Sequence, residues 1–184
     1  ITVSDGQGNV TVKTIQLEIE GVNDDPTIDG VVVGNDTTVE DGTLTAVGSI
    51  LASDVDASDV LTYAVQGGGA GTYGTMAIDS NGDYTYSLDN NSAAVQGLGG
   101  SDLVTETFIL DVSDGLATES VSVTVNVQGA NDAPVLDQLI INNDDVTEDG
   151  TLIASGSILA SDADAGDVVM FDLISGFDGT YGLF

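Results

Sequence analysis

Apolar and polar residues alternate along much of this chain with a period of two. From Ser120 to Val127, Val121, Val123, Val125 and Val127 fall on one face, and Ser122, Thr124 and Asn126 on the other. Phe108, Leu110 and Val112 alternate with Thr107, Ile109 and Asp111. Tyr84, Tyr86 and Leu88 alternate with Thr85, Ser87 and Asp89, and Leu61, Tyr63 and Val65 repeat the pattern. Side chains of an extended strand point alternately to its two faces, so this spacing predicts half-buried β-strands. Asn81-Gly82, between Met76-Ala77-Ile78 and Tyr84, predicts a hairpin, because both residues tolerate the positive φ of tight turns. Asp114-Gly115 marks another turn. Only Ser92 to Leu98 reads as helical, for about one or two turns.

The pattern recurs. Thr38 to Val60 reads TVEDGTLTAVGSILASDVDASDV, and Val146 to Val168 reads VTEDGTLIASGSILASDADAGDV; 17 of the 23 positions are identical, at an offset of 108. The same offset pairs Gly71-Thr72-Tyr73-Gly74 with Gly179-Thr180-Tyr181-Gly182, and Asn23-Asp24-Asp25-Pro26 with Asn131-Asp132-Ala133-Pro134. Val3-Ser4-Asp5-Gly6 echoes Val112-Ser113-Asp114-Gly115 at an offset of 109. Proline ends strand pairing and holds the residue before it extended, so the two proline tetrads read as boundaries. They divide the chain into the tail of one repeat (1–24), a complete repeat (25–132) and the N-terminal half of a third (133–184). The end units lack strands and are expected to close poorly or to borrow strands from neighbouring molecules. The chain opens on Ile1 rather than Met and reads as cut from a longer one. About seven short strands in the complete unit, separated by regular turn signals, predict an all-β fold of tandem Ig-like Greek-key sandwiches.

Composition sharpens this picture. Lys13 is the only base among 184 residues, against 31 acids, for a formal net charge of −30. Such a surface repels phosphate, which excludes nucleic-acid binding and docking on anionic membranes. No apolar run approaches the roughly 18 residues of a membrane helix, so no membrane insertion is expected. The chain has no His, Cys or Trp. That removes Ser-His-Asp and Cys-His catalysis, thiolate and imidazole zinc sites, and disulfides. A hydrophobic fraction of 41% and a mean hydropathy of +0.20 are still sufficient for a core.

The acids recur beside turns. Asp54-Val55-Asp56 and Asp162-Ala163-Asp164 each place two carboxylates at i and i+2, on one face of an extended segment. Glu40 and Glu148 precede Asp-Gly turns, Asp114 opens one, and Asn131-Asp132 lies in the joint between repeats. Asp59 and Asp167, three residues after each pair, read as part of the solvated face. Clustered carboxylates without Lys or Arg partners need a cation in a compact state. Oxygen-only ligands at irregular spacing favour calcium over magnesium. An EF-hand does not fit: counting from Asp54, Asp59 stands where the loop needs Gly and Val65 where it needs Glu. Gly99 to Asp102, a single nonapeptide-like phrase, reads as a loop.

In order along the chain, Val39-Glu40-Asp41, Ala52-Ser53-Asp54-Val55-Asp56, Ser87-Leu88-Asp89-Asn90, Asp114-Gly115 and Asn131-Asp132-Ala133-Pro134 resemble the cadherin series of calcium motifs. The texture resembles still more the VCBS and cadherin-like repeats of large bacterial RTX-type adhesins. They share the Gly-Thr-Tyr-Gly phrase, Tyr84 to Asn90, Ala94-Val95-Gln96 with Leu98, and Val112 to Gly115. The resemblance spans the whole chain.

This resemblance implies Ca2+ bound between successive domains. Carried over, one joint takes Glu40 and Asp89 from the domain before, Asn131 and Asp132 from the linker, and Asp162 and Asp164 from the domain after. The other takes Asn23 and Asp24 with Asp54, Asp56 and Asp114. Gly21 and Gly129 stand where cadherins place the leading Asp, and Asn90-Asn91 replaces an Arg-Glu pair. Both departures remove ligands, which implies one or two ions per joint. The expected role is an extender of a secreted or surface-anchored bacterial adhesin, partnered by neighbouring repeats of its own chain, with no catalytic residue. A carbohydrate- or peptide-binding β-sandwich module is the alternative. Paired acids also occur in glycosidases, but repetition at 108 residues argues for a structural role.

Overall fold

The computed structural model describes residues 1–172 and the backbone of two short strands at 178–179 and 182–183. Thr180 and Tyr181, within the second Gly-Thr-Tyr-Gly phrase, lie outside the described residues. The strands are β1 (Thr2–Ser4), β2 (Val10–Val12), β3 (Thr27–Asn35), β4 (Thr37–Val39), β5 (Thr45–Ser53), β6 (Thr62–Val65), β7 (Gly74–Ile78), β8 (Asp83–Leu88), β9 (Leu103–Ser113), β10 (Thr118–Gln128), β11 (Val135–Asn143), β12 (Ser155–Ser161), β13 (Asp178–Gly179) and β14 (Gly182–Leu183). Strands β3 to β10 form two four-stranded sheets, ordered β3-β5-β8-β7 and β4-β10-β9-β6. All pairs are antiparallel except β4 with β10. This is the expected Ig-like Greek-key sandwich.

The alternation read from sequence is the burial pattern. Tyr84, Tyr86 and Leu88 of β8 and Ile50 of β5 enter one core from one sheet, and Phe108, Leu110, Val112, Val123, Val125 and Val127 enter it from the other. Tyr86 and Phe108 pack with ring centroids 5.7 Å apart. The hairpin between β7 and β8 turns at Asn81-Gly82, with Gly82 at φ +86°. Gly48 of β5 has no room for a Cβ, which would strike the Tyr84 hydroxyl and the Val32 carbonyl. The expected helix at Ser92–Leu98 is instead a run of turns. Gln96 N reaches the Ser92 carbonyl at 3.0 Å and Leu98 N the Val95 carbonyl at 2.9 Å, while Val95 and Leu98 are buried. Gly97, Gly99 and Gly100 give a longer helix no support.

Asn35 holds the chain where it crosses from one sheet to the other. Its amide donates to the Thr37 and Thr45 carbonyls, at 2.8 and 3.1 Å, and its Oδ1 accepts from Thr37 N. The crossing delivers β4 alongside the end of β10, where Glu40 N donates to the Gln128 carbonyl at 2.9 Å. One pole of the sandwich therefore carries Glu40, the 89–98 turns and the linker after Gln128. The opposite pole carries the 54–59 turn after β5, the β9–β10 hairpin with Asp114, and the linker before β3.

The flanking elements are thinner. Strands β1 and β2 form a hairpin, and among the described residues β11 pairs only with β12. Ile158 of β12 is 50% exposed, whereas its counterpart Ile50 is 1% exposed under β8 to β10. Among the described residues, no helix is long and apolar enough to cross a membrane.

One acid is internal to the sandwich. Glu106 is buried; its Oε2 accepts from the Tyr86 hydroxyl at 2.5 Å, and its Oε1 accepts from Thr72 N and from Tyr73 N at 3.1 Å. It thus ties the Gly71–Gly74 loop to the core, and a Cβ on Gly71 would meet its carboxylate. Burial and this carboxylate push the Tyr86 hydroxyl well above its ordinary pKa. Replacing Glu106 with Ala strands three donors, so Glu106→Ala is expected to cost about 3 kcal/mol or more. A urea melt checks this; an unchanged midpoint would mean that the loop is held by other contacts.

Candidate metal centre

Both poles are wired by the same local bonds. At the pole that leads into β11, Asp132 N donates to Asp164 Oδ2 at 2.9 Å, Asp164 N donates to Asp162 Oδ1 at 3.1 Å, and Asn131 Nδ2 donates to the Asp132 carbonyl at 2.6 Å. At the opposite pole, Asp24 N donates to Asp56 Oδ2, Asp56 N to Asp54 Oδ1, and Asn23 Nδ2 to the Asp24 carbonyl, each at 2.8 Å. Each Asp-x-Asp pair therefore folds its second amide onto the first carboxylate. The second carboxylate then receives the linker amide. The arrangement needs only an acid at i and i+2 and a linker Asp whose neighbouring proline holds the chain extended nearby.

The preceding domain contributes Glu40, which is 2% exposed. Its Oε1 accepts from Gln96 Nε2 at 2.8 Å and its Oε2 from Ala130 N at 3.0 Å. Gln96 also donates to the Asn90 carbonyl at 2.9 Å. Next to Glu40, Asp41 adopts φ +54°, a left-handed conformation that Asp tolerates better than most residues. Reciprocal bonds with Asn90 hold it there: Asp41 N to Asn90 Oδ1 at 2.9 Å, and Asn90 Nδ2 to Asp41 Oδ1 at 2.7 Å. Asp149, its counterpart one repeat on, sits at φ +60°. The following unit touches this pole directly, through Ala165 N to the Gly97 carbonyl at 3.1 Å.

The electrostatics are one-sided. Desolvation raises the Glu40 carboxyl above its ordinary pKa, helped by the charges of Asp132, Asp41 and Asp164 and opposed by the Ala130 amide. Desolvation also raises Asp132, with Asp164, Asp41 and Asp162 adding to it. At the other pole Asp114 is held below the ordinary range, chiefly by Ala117 N, then by the Asn23 side chain and Leu116 N. Three carboxylate oxygens, on Asp54 (Oδ2), Asp132 (Oδ2) and Asp164 (Oδ1), are buried and accept no hydrogen bond. Asp164 as a whole is 4% exposed. Two carboxylates 4 Å apart repel by about 4 kcal/mol at an effective dielectric of 20. The single base, Lys13, lies in the exposed segment after β2. Buried, unpartnered oxygens facing like charges fit a hard divalent cation.

Of the residues expected at the first joint, Asn23, Asp24, Asp54, Asp56 and Asp114 are all brought together, Asn23 Nδ2 reaching Asp114 Oδ2 at 2.9 Å. At the second, Glu40, Asp132, Asp162 and Asp164 converge, and Asn131 braces the linker. Asp89 is exposed, and its backbone caps the turn at Ser92. Asp41 is the acid that joins them instead. Its signal in the sequence is its repetition at Asp149 beside a repeated Glu. Asp59 and Asp167, read as solvated, come within ligand distance of neighbouring acids: Asp54, Asp59 and Asp114 form one trio and Asp162, Asp164 and Asp167 another. Gly129 also has a physical reason. A Cβ there would lie 2.5 Å from the Leu98 and Gly99 carbonyls, so the linker position that cadherins give to Asp has no room for a side chain here.

A profile of the bacterial cadherin-like domain matches residues 23–129. No curated protein matches the chain. Among solved structures, human protocadherin-24 EC1-2 is 19% identical, with 86% of this chain aligned to 70% of that one and a TM-score of 0.39. Mouse protocadherin-24 EC1-3 is 20% identical over 90% of this chain and 55% of that one, with a TM-score of 0.37. A chimeric titin Z1Z2 carrying a decorin peptide is 11% identical over 65% of this chain and 56% of that one, with a TM-score of 0.35. The chain thus spans a little over half the length of the titin and mouse chains. The profile covers more than half of the chain and takes in the whole sandwich with the Asn23–Asp24, Glu40, Asp54–Asp56 and Asp114 positions, and the chain belongs to the bacterial cadherin-like domain family.

Proposed function

We propose that this chain is a calcium-rigidified extender of a secreted or surface-anchored bacterial adhesin, supplying reach and stiffness for cell adhesion or biofilm formation. On this reading its units are the tail 1–24, the complete repeat 25–132 and the half-repeat 133–184, in the manner of VCBS repeats of RTX-type adhesins. The observation that carries it is the set of buried, unpartnered carboxylate oxygens where one unit meets the next. Glu40, Asp41, Asp132, Asp162 and Asp164 would hold Ca2+ at one joint, and Asp24, Asp54, Asp56 and Asp114 at the other. Asn23 and Asn131 brace the linkers that bring these acids together. The ion supplies the positive charge that these acids lack.

Without a cation, each joint is a short anionic hinge between mutually repelling bodies. With one, atoms of both domains and the linker share a single centre, and their relative angle is fixed. Extracellular calcium modules bind at about 10⁻⁴–10⁻³ M, so such an array stiffens outside the cell and stays loose inside it. Repetition of the wiring at both poles supports a structural role over a catalytic one. The buried positions of Tyr84 and Tyr86 leave few aromatics for a sugar platform.

The direct test is melting of the whole chain in millimolar calcium and in chelator. A large, reversible rise with calcium is expected; identical curves would overturn the reading. Neutralising one acid should act in opposite directions in the two conditions. Asp164→Asn is expected to raise the melting temperature in chelator, by relieving repulsion, and to weaken calcium binding about tenfold, or about 1.4 kcal/mol. Destabilisation in both conditions would make Asp164 a packing residue.

The pH response follows from Glu40 and Asp132. Their raised carboxyls keep protons in the folded joint that the unfolded chain has released above its ordinary values of 4.5 and 3.8. In chelator, acidification from neutrality therefore stabilises the joint. The gain is complete below those ordinary values and is lost as pH rises through the raised ones. Asp114, held low, loses its contribution only as pH falls below about 3.8, outside this window. Calcium reverses the slope, because protons compete with the ion for the same oxygens. Melting at about pH 7 and about pH 5, in chelator and in calcium, should give slopes of opposite sign.

A further inference from the structure

The Asp54–Asp59–Asp114 trio and the Asp162–Asp164–Asp167 trio each offer three carboxylate oxygens lying within 4.8 Å of one another. Each trio draws only on residues of the domain that follows its joint. None comes from the linker or from the domain before. Asp59 and Asp167 occupy the same position in the repeat, three residues after the Asp-x-Asp pair. Their amides close the turn back onto that pair, Asp59 N on the Asp56 carbonyl at 3.0 Å and Asp167 N on the Asp164 carbonyl at 3.2 Å. In the second trio the i, i+2 and i+5 carboxylates are thereby gathered; in the first, Asp114 of the β9–β10 hairpin joins the i and i+5 carboxylates.

An acidic cluster alone would be a solvated face, and Asp167 is exposed. Two atoms argue otherwise. Asp164, a member of the second trio, is 4% exposed and its Oδ1 accepts no hydrogen bond. Asp54, a member of the first, has a buried Oδ2 that is likewise unpartnered. Two oxygens on one calcium ion can be about 5 Å apart, given calcium–oxygen distances of about 2.3–2.6 Å; on magnesium the limit is about 4.2 Å. Oxygens within 4.8 Å of one another can therefore share one calcium ion.

We propose that Asp59 and Asp167 are calcium ligands, each completing a cation seat contained within one domain and distinct from the contacts that reach across the joint. This rests on the calcium reading of the joints and adds an order of assembly. The domain loads its own ion first, because the three ligands are already adjacent within it, and the loaded turn then presents Asp56 or Asp164 to the incoming linker amide. Without that ion, the Asp132 amide approaches an Asp164 carboxylate crowded by two others.

The test is calcium titration of the whole chain by calorimetry, with terbium luminescence decay to count the waters left on the bound ion. Asp59→Asn with Asp167→Asn is expected to weaken the tightest class of sites at least tenfold and to add about one water to the bound terbium, because a carboxylate oxygen is replaced. Glu40→Gln, which alters the contribution from the preceding domain, is expected to change that class less than threefold. Asp29→Asn, an exposed acid of β3, controls for charge alone. If the double variant binds calcium with unchanged affinity and hydration while calcium still raises the melting temperature, Asp59 and Asp167 are solvated acids and only this inference falls. If the unaltered chain takes up no calcium, the calcium reading of the joints falls with it.

Discussion

The joints of this protein are organised by one constraint: carboxylates are drawn out of water with no basic residue to meet them. Asp132 and Asp164 each bury an oxygen that accepts no hydrogen bond, and Glu40 is almost wholly enclosed beside them. Burying a charge is costly unless it is paired. A chain with one base among its 184 residues cannot supply the pair from within. The donors that do reach Glu40, from Gln96 and Ala130, are neutral. They orient the carboxylate and leave its charge uncompensated. On the proposed reading, the positive charge comes from an ion, because the one base, Lys13, lies outside the joints.

The two poles of the sandwich show the two halves of one design. On the proposed reading, the pole at the 54–59 turn displays what a domain offers to the unit before it, the Asp54–Asp56 pair with Asp114 from the β9–β10 hairpin. The opposite pole displays what a domain offers to the unit after it: Glu40 at the end of β4 and Asp41 locked to Asn90. The linker adds the same asparagine and aspartate at each, bonded in the same way. Identical short-range geometry at two places 108 residues apart comes from local sequence, because the partner bodies at the two poles differ in completeness.

Much of the fold was legible because its strands carry large apolar residues on one face. β8, β9 and β10 announce themselves through Tyr84, Tyr86, Phe108, Leu110 and the valines from 121 to 127. β5 is quieter, since its inward positions include Ala46, Gly48 and Ala52, small residues that leave room for tyrosines from β8. Small inward residues weaken a period-two signal although the strand is central to its sheet. Ser92 to Leu98 shows the opposite error: Val95 and Leu98 are spaced as on a helix, yet the glycines beside them let the same two side chains enter the core from a string of turns. At the site, the acids at i and i+2 were legible as pairs, but the extended segment expected for them is instead a turn, in which the second amide folds onto the first carboxylate. Asp41 and Asp59 were not, because their roles depend on a left-handed backbone and on a turn that spacing alone does not reveal.

Gly129 shows why the joint is built from acids at the ends of strands rather than from a larger linker. The linker crosses the Leu98 and Gly99 carbonyls so closely that no side chain fits, which keeps Ala130 N within reach of Glu40 and sets Asp132 over Asp164. A bulkier linker residue would lift the chain away and separate the two sets of carboxylates. Among the described residues, backbone amides and short side chains then bridge the domains, with Ala165 N on the Gly97 carbonyl as a direct contact. Such a joint buries little apolar surface, so the hydrophobic effect gives it little rigidity. On the proposed reading, stiffness is left to the ion, and it becomes a property of the surroundings as well as of the chain. A hydrophobic joint would be rigid at all times. On the same reading, one built on unpartnered carboxylates is rigid only where calcium is plentiful.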